Sequence, residues 1–171
     1  LKVFGTDGVR GKVGEHPMTV DFVSRLAGAA ASVLAPQGGT VVVGKDTRIS
    51  GYMFESALEA ALVASGLDVM LLGPFPTPGI SFTTKDCNAN FGVIISASHN
   101  SYEYNGLKIL NSLGEKIDKR IEIDIENQLS KDPITHTADT LGRATRNSDA
   151  RGNYMNFISG IFTQPQPLRK I

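Results

Sequence analysis

Three short apolar runs, Val41-Val42-Val43, Val69-Met70-Leu71-Leu72 and Val93-Ile94-Ile95, restrict this chain more than any other feature. Their composition is that of strands covered on both faces, as in layered α/β proteins. Between the first two runs, Phe54, Ala57, Leu58, Ala61 and Leu62 fall at helical spacing, and Gly66 supplies a stop. Ahead of the first run, Thr19 is placed to cap a helix whose Val23, Leu26, Ala27, Ala30 and Leu34 form one apolar stripe; Pro36 and Gly38-Gly39 end it.

Past the second run, Pro74, Pro76 and Pro78 leave room for a short helix before Cys87. Residues 105–110 predict a fourth strand in which Lys108 and Leu110 share a face. Ile117, Ile121, Ile125 and Leu129 then recur every four residues, predicting an amphipathic helix with its charges elsewhere. Residues 131–148 are polar and aperiodic, a loop or weak strand, and 149–162 predict a last helix with Met155, Ile158 and Phe162 on one side. Right-handed crossovers turn this order into an α/β fold with a mixed, mostly parallel sheet of about four strands and helices on both faces. Only about ten residues separate the third and fourth strands, so the fourth is expected as an antiparallel edge strand.

A chain of 171 residues fits one domain. At that size roughly 68–70% of the unfolded surface is buried, so neither metal nor disulfide is needed to staple the core. A net charge of +0 gives no general attraction to nucleic acid or to an acidic membrane surface. No apolar run approaches the roughly 20 residues of a membrane-spanning helix. The single cysteine, Cys87, excludes an intrachain disulfide and agrees with a reducing, cytoplasmic location. His16, His99 and His136 lack zinc-like spacing. The chain opens on Leu1 and closes on Leu-Arg-Lys-Ile, the approach to another strand. It reads as a fragment, with one domain over 1–165 and a linker or first strand of a second domain over 166–171.

Four polar, glycine-bearing segments interrupt the scaffold: 4–11, 44–51, 96–101 and 105–108. The second and third follow predicted parallel strands, the edge at which open α/β sheets bind ligands. In the third, Ile-Ile-Ser-Ala-Ser-His-Asn-Ser, an apolar strand ends in a small polar turn holding Ser98, His99 and Asn100. Ser98 reads as a strand-end turn or helix cap, or as a nucleophile or phosphoacceptor. Side chains at adjacent positions are expected to diverge, which places His99 poorly as a triad partner, and no Gly-x-Ser-x-Gly elbow is present. A phosphoserine fits better. It carries about −1.5 to −2 charges and needs cations nearby, for which Arg10, Lys108 and Arg48 are available. Asp46 and Arg48 are also expected to pair with each other or to cap the helix beginning near Ser50.

Phe-Gly-Thr-Asp-Gly-Val-Arg-Gly at 4–11, Gly-Lys-Asp-Thr-Arg-Ile-Ser-Gly at 44–51, Gly-Pro-Phe-Pro-Thr-Pro at 73–78 and Ile-Ser-Ala-Ser-His-Asn at 95–100 together resemble the amino-terminal domain of the α-D-phosphohexomutases, most nearly the phosphoglucosamine mutase branch. The resemblance runs to about residue 165. It implies that Ser98 is phosphorylated and passes its phosphoryl group to a phosphorylated hexosamine, giving a bisphosphorylated intermediate that returns its other phosphate to the serine. The net change would interconvert glucosamine 6-phosphate and glucosamine 1-phosphate, on the route to peptidoglycan precursors. It further implies Arg10 and Lys108 around the reacting phosphate, His99 and Asn100 in the loop that holds the serine, and one Mg²⁺ on a Ser98 phosphate oxygen.

Two departures stand out. Ser101 occupies a position where the family usually has proline, which predicts a less rigid loop. The family's acidic metal loop, sugar-recognition loop and carboxy-terminal phosphate loop belong to later domains, so this fragment is expected to be inactive alone. Sugar choice resides in those domains too, leaving a phosphomannomutase or phosphoglucomutase as an alternative. A stand-alone, non-catalytic phosphate-binding module is another.

Overall fold

A computed structural model describes residues 2–161. The predicted linker or strand over 166–171 and the contribution of Phe162 to the last helix lie outside those residues. Eleven elements follow in chain order: β1 (Val9–Lys12), α1 (Val20–Leu34), β2 (Gly39–Lys45), α2 (Ser50–Ala64), β3 (Leu67–Pro74), α3 (Thr77–Asp86), β4 (Phe91–Ile95), β5 (Tyr104–Leu110), α4 (Lys119–Gln128), β6 (Ala144–Arg146) and α5 (Ala150–Ile161). The helices begin and end where local chemistry allows. Thr19 caps α1, its hydroxyl accepting from the Phe22 N–H, and Asp118 caps α4 by accepting from the Ile121 N–H. Gly66, at φ +80°, ends the turn after α2.

The strands form one mixed sheet in the order β1-β5-β4-β2-β3-β6. β2 pairs in parallel with β3 and β4, β3 in parallel with β6, and β5 runs antiparallel to both β4 and β1. Six strands replace the four expected. The fourth predicted strand, β5, is antiparallel as anticipated, but it is not an edge. β1, folded from the glycine-rich amino-terminal segment, lies outside it with Arg10 opposite Gly106. β6 forms the other edge with all three residues exposed, held by backbone pairing rather than by apolar burial.

Two apolar layers sandwich the sheet. The larger packs α1, α2 and α4 against Val41, Val43, Val69, Phe91, Val93, Leu107 and Ile109. The smaller gathers Val42, Ile80, Ala89, Ile94 and Leu110 beneath α3. α5 lies against α3 through Phe82, with Phe157 at a ring-centroid distance of 4.5 Å and Tyr154 at 5.7 Å. Of the side predicted to pack, Met155 is exposed and Ile158 half-buried, and the aromatic contacts come from Tyr154 and Phe157 instead. Side-chain alternation fixes what reaches each layer. Leu107 and Ile109 enter the large one, so Lys108 shares the opposite face with Leu110 and with its cross-strand partner Ile94.

Candidate active site

The loops after β2 and β4 leave the same edge of the sheet because their strands are parallel neighbours, with Lys45 opposite Ile95. One step beyond, the Asp46 N–H donates to the Ile95 carbonyl at 3.0 Å, which joins the loops at their roots. On the other side of β4, the Ser96 N–H donates to the Gly106 carbonyl at 2.9 Å, and Gly106 is the partner of Arg10. Arg10 of β1, Gly106 of β5 and Ser96, the first residue past β4, therefore stand level across the sheet. Directly paired residues project to the same side, so Arg10 shares a face with Lys108, which lies two residues deeper along β5.

Ser98 is exposed and has φ +59°, in the left-handed region that serine rarely occupies. Hydrogen bonds from below hold it there. Its N–H donates to Ser96 Oγ at 3.0 Å, and the Ser96 hydroxyl donates to Asp46 Oδ2 at 2.7 Å. Asp46 Oδ1 accepts from the Arg48 N–H at 2.9 Å and Oδ2 from Arg48 Nε at 3.0 Å. The Arg48 guanidinium then reaches the carbonyls of Ser98, Asn100, Ser101 and Tyr104. Ser98 Oγ is left at the surface, 3.3 Å from His99 Nδ1, where either atom donates according to the imidazole tautomer. The expected divergence of these adjacent side chains does not occur, because the left-handed turn swings them together.

The cations divide into two kinds. Arg48, expected to be available to a phosphate, is fully engaged with Asp46 and the loop carbonyls, so the expected pairing with Asp46 is what forms. Arg10 is loosely held. Its nearest acid is the exposed Asp7, at 3.6 Å, and its Nε is buried without a hydrogen-bond partner. Lys108 is half-buried and its ammonium makes no hydrogen bond or ion pair among the described residues. Gly106 makes room for Arg10, since a Cβ there would lie 2.7 Å from Arg10 Cγ and 3.0 Å from the Ser96 carbonyl oxygen. Gly8, at φ +87°, turns the chain into β1 so closely that any side chain would overlap the Leu107 carbonyl.

Sequence reading missed Ser96 and the bracing role of Arg48. It also missed a buried ion pair at the root of the site. Lys45 is 1% exposed, bonded to Glu55 of α2, with its ammonium 3.9 Å from the centroid of the Tyr52 ring. The period-two relation of Ser96 to Ser98 was a signal available for the first. The carbonyl partners of Arg48 lie some fifty residues away and follow only from strand order, whereas Lys45 and Glu55 are ten residues apart and meet because α2 folds back over the end of β2. For magnesium the fit is poor within this chain. Among the described residues no three His, Cys, Asp or Glu side chains gather to hold a metal, and both Asp46 oxygens are already engaged.

Comparison with known proteins places this arrangement. The chain is 53% identical over 157 residues to the phosphoglucosamine mutase of Alcanivorax borkumensis, covering 91% of this chain and 35% of that protein. It is 49% identical over 168 residues to the phosphoglucosamine mutase of Shewanella oneidensis, covering 98% and 38%. It thus spans little more than a third of the length of these relatives. The fold superposes with a TM-score of 0.80 on a crystal structure from Thermus thermophilus described as a phosphomannomutase, at 33% identity, covering 92% of this chain and 35% of that one. Among the described residues no helix is long and apolar enough to cross a membrane. The family model for phosphoglucomutase/phosphomannomutase, alpha/beta/alpha domain I, matches residues 1–135, and the chain belongs to that family.

Proposed function

We propose that this chain is the phosphoserine domain of a phosphoglucosamine mutase, with Ser98 as the phosphoryl carrier. The observation that carries the reading is an exposed Ser98 hydroxyl on a loop braced from beneath, at the same sheet edge as the partnerless Nε of Arg10. A hydroxyl of the hexosamine phosphate attacks the phosphorus. The Ser98 Oγ–P bond breaks, the new O–P bond forms, the attacking hydroxyl gives up its proton and the departing Oγ takes one up. The bisphosphorylated sugar then turns over and returns its other phosphate to Ser98 by the reverse chemistry. Such transfers depend on alignment and on neutralising charge at the phosphoryl oxygens.

Arg10 and Lys108 provide that neutralisation from one face of the sheet. His99 Nδ1, 3.3 Å from Oγ, is within reach of the proton on the departing serine, and Asn100 shapes the turn. The Mg²⁺ implied by the resemblance would take only a Ser98 phosphate oxygen from this domain, and no step is assigned to it. In this reading residues 1–165 are the serine-bearing domain of a longer enzyme.

The test is intact mass together with turnover of glucosamine 6-phosphate in the full-length protein. Wild type carries one added phosphoryl mass, and Ser98→Ala carries none and is inactive. Arg10→Ala and Lys108→Ala each fold normally and lose about 10²- to 10³-fold in kcat, the range for removing one preorganised charge donor. Unimpaired turnover by Ser98→Ala overturns the reading. Faster turnover of mannose or glucose phosphates than of the amino sugar reassigns the substrate.

A further inference from the structure

We propose that Arg48 is a positioning residue that folds the serine loop into its phosphoryl-transfer shape and never touches the phosphate; this rests on Ser98 being the phosphoryl carrier. A guanidinium has five N–H donors. Here they make five bonds: Nε to Asp46 Oδ2 at 3.0 Å, one terminal nitrogen to the Ser101 and Tyr104 carbonyls at 2.6 and 3.1 Å, and the other to those of Ser98 and Asn100 at 3.1 and 2.7 Å. No donor remains for an anion. Arg10, with a buried and unbonded Nε, is in the opposite condition.

This arrangement does two things. It offsets the cost of holding Ser98 at φ +59°, a sparsely populated region for a non-glycine residue. It also occupies four carbonyl oxygens of residues 98–104, whose negative ends would otherwise be free to face a dianionic phosphoserine. The clamp supplies the order that a proline at position 101 would have given, since Ser101 is held by its carbonyl instead. A lysine cannot replace it. Three donors on one tetrahedral nitrogen do not span a fork of four carbonyls and a carboxylate.

The experiment uses the full-length protein carrying Arg48→Lys, with three readouts. The first is kinetics with glucosamine 6-phosphate: kcat falls about a hundred-fold, the loss expected when a reacting group is displaced by about 1 Å, while KM stays within about two-fold. The second is amide hydrogen exchange, which speeds up in residues 97–104 and nowhere else. The third is a ³¹P titration of phosphorylated Ser98, whose second ionisation does not move. A raised second ionisation, or a KM increase with kcat retained, makes Arg48 a phosphate ligand and overturns the proposal. So does unchanged exchange in 97–104, whereas faster exchange throughout the domain overturns it by reducing the residue to general stability. Should Arg48→Lys fail to fold, Asp46→Asn, which weakens the anchor of the guanidinium, is read by the same three measurements. If wild-type Ser98 carries no phosphate, the functional reading fails, while loop exchange still decides whether Arg48 holds the turn.

Discussion

At the scale of single residues, the site depends on where atoms are missing as much as on where they are present. Gly106 has no unusual φ; its role is space. A methyl group there would lie 2.7 Å from Arg10 Cγ, 2.8 Å from the Val9 carbonyl oxygen and 3.0 Å from that of Ser96. Two of these neighbours are backbone on opposite sides of β5, so the crowding cannot be relieved by one side chain turning away. Gly106→Ala is expected to cost about 1–3 kcal/mol, as overpacking does, and to lower turnover by moving Arg10 relative to Ser98. Denaturant midpoints and kcat measured on the same preparation check this, and a variant unchanged in both would show that the gap is incidental. Ser98, His99 and Asn100 could be singled out in the sequence because an apolar strand ends there in a small polar turn, whereas Arg10 and Lys108, which lie within β1 and β5, stood out only through the resemblance. Arg48 was legible as a cation but not as a clamp, because its four carbonyl partners belong to a loop about fifty residues away.

At the scale of elements, α4 does more than cover the sheet. Its apolar side was readable from Ile121, Ile125 and the C-cap Leu129, and Ile125 is fully buried; Ile117, expected in the same helix, precedes the Asp118 cap and its N–H donates to the Ile109 carbonyl of β5 instead. Its charges lie elsewhere on the helix, as expected, but not all face water: Glu122 is 1% exposed, and Glu126 Oε1 accepts from the Val3 and Phe4 N–H groups at 2.7 and 2.9 Å. Lys116, 3.0 Å from Glu122, also donates to the Thr6 carbonyl at 2.8 Å. The helix and the segment before it thus pin down the amino-terminal turn that delivers Arg10. No local pattern reveals such contacts, because the two partners are more than a hundred residues apart.

The same geometry gives a pH dependence. Burial alone would raise the Glu122 carboxyl, but the hydrogen bond from Lys119 and the close charges of Lys116 and Lys119 outweigh it and hold the group below its ordinary value. A carboxyl depressed in the folded state binds fewer protons than in the unfolded chain, so it stabilises the fold above the unfolded value, about 4.3. That contribution is lost as pH falls through the lower, folded value. Glu122→Gln should therefore lower the thermal midpoint at pH 7, by the equivalent of about 2 kcal/mol for charge-assisted hydrogen bonds. The gap from wild type should narrow as the pH drops below about 4. Melting curves from pH 7 to pH 3 test this, and a constant gap would mean that the carboxylate charge is not what stabilises.

At the scale of the molecule, the central strands were legible and the edges were not. β2, β3 and β4 announce themselves because burial on both faces demands uninterrupted apolar residues. β1 and β6 have four and three residues, and their pairing rests on backbone hydrogen bonds that leave no periodicity to read. One sheet carries both apolar layers, and Val42 faces α3 while its neighbours Val41 and Val43 face α1 and α2. Neither layer can come apart without stripping strands from the other, so the chain should unfold in one cooperative step. Leu58→Ala in the large layer and Ile80→Ala in the small one should each cost about 2–5 kcal/mol, the range for a buried aliphatic cut to a methyl. Far-UV circular dichroism and tyrosine fluorescence, followed in denaturant for both variants, should trace one coincident transition shifted to a lower midpoint. Resolved transitions in either variant would mean that α3 and its layer form a separate unit, and the Ser98 loop would then be anchored by the parallel core of β2 and β4 alone.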